Sequence, residues 1–389
     1  MQPIYIVLIL VAIIALGELL SLSTRAKIPT LLVVVATTFV LLQTGILPES
    51  FIEASTFVAA GSVLVPVLIV HLGTLIPLPV IKKQYQAVLI TVIGLVISVV
   101  TMLSIITLFF DYSTAVAGAG PLTGGIIAYI VTSEGLTAAG YTSIAAIPVV
   151  VFALQNLVGM PLTSILLSKY ALSIRDSLAD EAAATTEQSG SPMAADPDKK
   201  LIIPARFMQS HFIILFLLFI GGALATWLGS VTGINYSLWS LAIGVAGSAF
   251  RFYPDRALDK SNSTGLAMVA LIIVVINSLV GITWNQVVSA LLPVIIIIVI
   301  GTTGLIIGAI IGGKIFKWKP TKSIPVVLTA LYGFPGDYLI VEEVSRSIGR
   351  NEAEQKRIMD ELVAPMLIGG FTSVTIGSIV IASILIGTL

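Results

Sequence analysis

The chain is dominated by apolar runs long enough to cross a bilayer, such as 87–110 and 286–311, separated by short polar stretches. A membrane-spanning helix needs about 20 mostly apolar residues. Hydropathy places such runs at 3–22, 28–42, 57–75, 87–110 and 144–168, and again at 211–231, 236–250, 264–282, 286–311 and 362–389. Runs 28–42 and 236–250 are short, and each is second in its half. With 57% hydrophobic and only 10% charged residues, the sequence has too little polar surface to coat a soluble globule of 389 residues. An all-α polytopic membrane protein is the predicted class. The first run has no basic region before it and no small-residue cleavage site, so it reads as a retained span.

Two further segments are apolar but interrupted. The first contains GPLTGGIIAYIVTSE at 120–134, and the second LYGFPGDYLIVEEV at 331–344. Each has an apolar arm, a Pro/Gly-rich break and a second arm carrying carboxylates. Non-helical backbone at membrane depth is tolerated only inside protein or beside a watery cavity, and paired interruptions in two halves point to a transporter's binding site. The broken segments are predicted near 113–139 and 323–348. Between the halves lies SLADEAAATTEQSGSPMAADPDKK, whose Ser, Ala, acidic and Pro content cannot build a core. The predicted organisation is a first repeat at 1–169, a flexible linker at 170–206 and a second repeat at 207–389.

Charge sets the expected topology. If both broken segments dip into the membrane and return, each half has five crossings and all 20 Lys and Arg residues fall on one face. The opposite face keeps Glu49, Glu53 and Asp111. If both segments cross instead, the basic residues split between the faces. The positive-inside rule favours re-entry. Five is odd, so the halves are expected to be inverted repeats of five helices plus one re-entrant hairpin each. Both termini are then external, the linker is cytoplasmic, and the protein lies in the cell membrane as a multi-pass chain.

Composition also excludes chemistry. The chain has no cysteine, and its two histidines, His71 and His211, are too far apart in sequence for a zinc motif. Balanced charge, with 20 basic and 20 acidic residues, gives no sign of a nucleic-acid partner. No HExxH or GxSxG motif is present, so an enzyme is not expected.

The order of elements resembles the glutamate:sodium symporter (ESS) family, and more loosely the 2-hydroxycarboxylate transporters and the sodium/proton antiporter superfamily. The likeness rests on LTGG at 122–125, YGFPG at 332–336, IPVVVFALQNLVGMP and APMLIGGFTSVTIGS after the two broken segments, and VVINSLVGITWNQVVSAL before the ninth span. It implies re-entrant hairpins meeting at a substrate site, sodium coupling, a homodimer and elevator-like movement, with a small carboxylate or amino acid, glutamate-like, as substrate. The superfamily also admits a cation/proton antiporter or a small-metabolite exporter. No organic cofactor is implied; sodium is the expected coupling ion.

The candidate residues follow from chemistry at the breaks. Each returning arm leaves a helix N-terminus near the midplane, with free amides and about half a positive charge, suited to a carboxylate. Glycines Gly124, Gly125, Gly333 and Gly336, with Pro335, let the backbone turn and approach a ligand; tight helix packing is the rival reading. Thr123 offers oxygen to a hard cation. The span after each break carries a polar pair at the same offset from a proline, Gln155 and Asn156 after Pro148, Thr372 and Ser373 after Pro365. Thr123, Gln155, Thr372 and Asp337 are the expected sodium ligands, and Asn156, Ser373, Asp337 and the two tips the expected substrate contacts. Interhelical hydrogen bonding would equally occupy the polar pairs.

Ionisable groups at membrane depth cost roughly 2.5–3.5 kcal/mol each on insertion scales, so each needs a reason. Asp337 follows the second tip, where it would N-cap the returning arm, bind a cation or receive an ammonium group. Glu342 and Glu343 are expected to pair with Arg346 and Arg350 at helical spacing, Glu134 to line an entrance, and Glu18 and His71 to reach water from near the inner ends of their spans.

Overall fold

The computed structural model describes residues 2–48, 50–75, 84–184, 204, 207–234, 236–277, 280–281 and 283–389. Among these there is no strand, as lipid demands of backbone that must pair its own amides. In chain order the helices are α1 (Pro3–Ser23), α2 (Thr30–Gln43), α3 (Ser50–Glu53), α4 (Phe57–Leu75) and α5 (Tyr85–Phe109), then α6 (Tyr112–Leu122), α7 (Gly125–Ala138) and α8 (Ile147–Ala184). The second half has α9 (His211–Thr232), α10 (Tyr236–Ala249), α11 (Ala257–Lys260), α12 (Thr264–Asn277) and α13 (Trp284–Ile315), then α14 (Pro320–Leu328), α15 (Gly336–Ile348) and α16 (Glu352–Phe371). A π-helical stretch, Thr372–Gly377, joins α16 to α17 (Ser378–Ile386).

Seven of the described helical runs are long and apolar enough to cross a membrane, so the chain is a multi-pass membrane protein. The two runs expected to be short form α2 and α10, each of 14 residues. Two boundaries differ from the sequence reading. Helix α8 continues to Ala184, well into the stretch read as linker, whose remainder at 185–203 and 205–206 lies outside the described residues. The last run starts at Glu352 rather than 362, because the Asn351 side chain accepts the Glu354 amide at 2.9 Å and caps an earlier turn. That turn carries Glu352 and Glu354, which suit the positive end of a helix.

The chain divides into two compact units, each drawing on both sequence halves. One comprises Met1–Ala12, Pro48–Lys83 and Ala179–Ser278, and so contains α4 and α9 to α12. Its helices pack closely: a Cβ on Gly73 would lie 2.7 Å from the Gly244 Cα. Small residues are how membrane helices approach without water to drive them together. At the end of α4, His71 Nδ1 accepts the Leu258 amide at 3.1 Å and Thr74 Oγ1 accepts the Ala257 amide at 3.3 Å, so the two side chains cap α11. An accepting Nδ1 leaves the proton of neutral His71 on Nε2, which faces the Asp259 carboxylate at 3.9 Å. His71 is fully buried. It does not reach water as the sequence suggested; capping is its use here.

The other unit comprises Ile13–Leu47, Gln84–Leu178 and Leu279–Leu389 and holds both broken segments. Its frame is α5 against α13. A Cβ on Gly304 would sit 2.6 Å from the Ser98 Cα, and one on Gly308 2.6 Å from the Gly94 Cα, while the Ser98 hydroxyl donates to the Gly301 carbonyl at 2.8 Å. A capping box at the start of α13, formed by Thr283 and Gln286, fixes where that helix begins.

Candidate functional site

The first broken segment begins at Asp111, whose carboxylate accepts the Thr114 amide at 2.6 Å and the Ser113 hydroxyl at 2.8 Å. Slight burial pushes the Asp111 carboxyl up, but these donors outweigh it and hold the group below the usual carboxylate range. Helix α6 ends at Leu122, and the chain turns at Thr123 and Gly124 before α7 starts at Gly125. Gly124 has φ 149° and Gly125 φ 60°, conformations that residues with a Cβ seldom adopt. In the second segment, α14 starts on Pro320 and ends in a tight turn at Thr329–Leu331; the break follows at 332–335, with Gly333 at φ 59° and a cis Phe334–Pro335 peptide. Pro335 occupies the N-cap of α15 and has no side chain to cap with.

The breaks meet at one place. A Cβ on Gly124 would lie 2.8 Å from the Val374 Cα and 2.9 Å from the Ser373 carbonyl oxygen. One on Gly125 would lie 2.5 Å from Val374 Cγ1, and one on Gly333 2.6 Å from Val374 Cγ2. Both turns therefore rest on the π-helical stretch Thr372–Gly377. Beside it the Phe334 ring stacks on Phe371, centroids 6.0 Å apart. Helix α8 touches both segments: Phe152 stacks on Tyr129 of α7, and a Cβ on Gly159 would lie 2.7 Å from the Leu331 Cβ. Gln155 and Asn156 lie between these two contacts.

Most expected site residues thus share one neighbourhood, but their oxygens differ in availability. The Thr123 hydroxyl donates to the Ala119 and Gly120 carbonyls, the Thr372 hydroxyl to Ile368 and the Ser373 hydroxyl to Gly369 and Gly370, all on their own helices. Each keeps lone pairs but no free proton. Gln155 Oε1 and Asn156 Oδ1 are buried without a hydrogen-bond partner among the described residues. Asp337 is fully buried. Its Oδ1 accepts the Tyr338 amide at 2.7 Å, while Oδ2 has no partner among the described residues and rests against Gly370, where any side chain would collide with it. Asp337 is the second residue of α15 and not its N-cap, which corrects that reading.

Sequence reasoning missed three features. The π-helical stretch was missed because apolar periodicity does not tell a π-turn from an α-turn. Tyr332 and Thr163 were passed over, yet their buried hydroxyls face one another with no other partner among the described residues. Glu343 does not pair with Arg350; it accepts the Ser21 hydroxyl at 2.6 Å and the Thr30 amide at 3.0 Å, while Arg346 pairs with Glu18 at 3.1 Å. Glu343 therefore caps α2, whose own N-cap, Pro29, supplies no side-chain bond. The signal available in sequence was a proline at that cap, which needs a partner from elsewhere. No protein-family model matches the chain, and no curated protein matches it either.

Proposed function

We propose that the chain is a secondary active transporter that couples sodium to movement of a small carboxylate or amino acid. The observation that carries this reading is that two broken membrane segments from distant parts of the sequence rest on one π-helical stretch within one compact unit. Broken helices buried in protein present free amides and carbonyls where an intact helix presents none, and transporters use them to hold charged cargo. A π-turn at the same spot adds backbone out of α register, a feature common at functional sites. The free amides at the starts of α7 and α15 would receive a carboxylate, and buried oxygens beside them would receive sodium.

In this reading the halves are inverted repeats, each with five spans and one re-entrant hairpin. The protein lies in the cytoplasmic membrane as a homodimer, termini outside, and the broken segments move in elevator fashion during transport. A second reading, a cation/proton antiporter, draws support from the unpartnered oxygen of buried Asp337, because an intramembrane carboxylate is a default proton carrier. Reconstituted vesicles separate the two. Uptake of labelled amino acids and carboxylates that needs an inward sodium gradient, and that a proton gradient alone does not drive, supports the symporter. Uptake driven equally by protons without sodium moves the function to the antiporter.

A further inference from the structure

Helix α8 and the second break carry buried oxygens that the described residues do not fully satisfy. On α8, Gln155, Gly159 and Thr163 recur at intervals of four and so share one face. Gly159 marks what that face meets: a Cβ there would touch Leu331 and the Tyr332 ring. The Tyr332 hydroxyl, on the same break, faces both the Thr163 hydroxyl and the Asp337 carboxylate. Tyr332 Oη and Thr163 Oγ1 are buried with only each other to bond, and Gln155 Oε1 and Asp337 Oδ2 are buried with no hydrogen-bond partner among the described residues. Gln155, Thr163 and Asp337 are each at most 1% exposed.

Such groups are costly to bury unpaired, each at about 1–3 kcal/mol and more for a charged one. A carboxylate oxygen and an amide oxygen without donors, together with a hydroxyl pair that has only itself, call for a common partner, and every one of these groups offers oxygen lone pairs. One carboxylate with neutral oxygens balances a single positive charge; a divalent ion would leave an excess charge buried. Hard cations take oxygen ligands of this kind. Resting on the transport reading above, we propose that a sodium ion binds between α8 and the second break, held by Asp337, Tyr332, Thr163 and Gln155. Tyr332 and Thr163 thereby join the ion site. Thr123 and Thr372, whose hydroxyls already serve their own helices, leave it.

The test is thermal unfolding of the purified full-length chain, with sodium chloride titrated against choline chloride at fixed pH and ionic strength, because a bound ion stabilises the folded state by mass action. Sodium should raise the wild-type midpoint. Tyr332→Phe and Thr163→Val each remove one oxygen with little change of shape, and should move the half-effective sodium concentration up by about tenfold or more. Thr101→Val, which removes a hydroxyl bonded only to Ile97 of its own helix, should leave the titration unshifted. The site is overturned if sodium stabilises Tyr332→Phe and Thr163→Val as it does wild type, or if acidification replaces sodium in producing the rise. Sodium-driven uptake that persists unchanged in both variants defeats this site and leaves the symporter standing. A wild type that shows no sodium effect on either unfolding or uptake defeats both.

Discussion

The two broken segments lean on the same π-helical stretch but are held there by different physics. The first break is Thr123 and Gly124, with no ionisable side chain at the turn, and it is fixed by shape: glycines in positive φ pressed on Val374. The second carries Tyr332, Phe334, Pro335 and Asp337, and its arms are fixed by charge as well. Lys322 on α14 pairs with Glu361 at 2.7 Å and lies over the Trp318 ring at 4.7 Å, while Arg346 and Glu343 tie α15 to α1 and α2. The entrances differ in the same way, since Asp111 caps α6 through its side chain whereas α14 starts on a proline. One break is a mould, the other a set of polar ties around a buried carboxylate. Charge therefore lies with the second break, and the first presents backbone.

The sharpest way to break that contrast is Asp337→Asn, which keeps size but removes charge. Sodium-driven uptake should be lost by about a hundredfold or more with the protein still folded and monodisperse, as expected for an uncompensated ion ligand. Wild-type kinetics at limiting sodium and substrate would remove the carboxylate from the site and make the second break a mould as well.

Next in size is Glu343→Ala. It leaves the Ser21 hydroxyl and the Thr30 amide without their acceptor and should cost about 3 kcal/mol in reversible unfolding. Glu343→Gln, which retains an acceptor oxygen, should cost less. Equal losses would show that the site needs the negative charge and not the cap.

The first break is probed by relief of crowding. Gly125→Ala would place a Cβ 2.5 Å from the Val374 side chain, and Gly124→Ala one 2.8 Å from the Val374 Cα and 2.9 Å from the Ser373 carbonyl oxygen. Each should cost about 2 kcal/mol. Adding Val374→Ala should restore part of the loss for Gly125→Ala and none for Gly124→Ala, because backbone does not move aside. Equal rescue would mean that the turn yields as a whole.

The smallest effect is Asp111→Ala, at about 1 kcal/mol for a lost cap. Because the folded-state carboxyl is held below its ordinary range, this contribution is full above that range and fades as pH falls through the lower folded value. The stability difference between wild type and Asp111→Ala, followed by denaturation across acid pH, should shrink accordingly.

The breaks were legible because Pro and Gly interrupt apolar arms whatever lies around them, and α6 with α7 and α14 with α15 fall where the sequence placed them. The short second runs were legible for the same local reason. What sets the site was not. Glu343 and Ser21 are 322 residues apart in sequence, and spacing to Arg346 and Arg350 offered a nearer partner that the fold assigns elsewhere. Tyr332 reads as an ordinary membrane aromatic until its hydroxyl is found buried. The compact units cut across the sequence halves, a division that hydropathy along the chain does not encode.

The π-helical stretch Thr372–Gly377 is also a slip in numbering. An α-helix advances about 100° per residue, and a π-turn accommodates one residue more without that advance. Faces before and after the stretch are thus out of step by one position: Ser378, Ala382 and Leu385 are buried on α17 only because a residue is absorbed upstream. Deleting a single residue from 372–377 would let the helix close as a regular α-helix with that buried row still facing the core, whereas drawing all six residues into α geometry would turn α17 by about a quarter of a revolution and carry the row away.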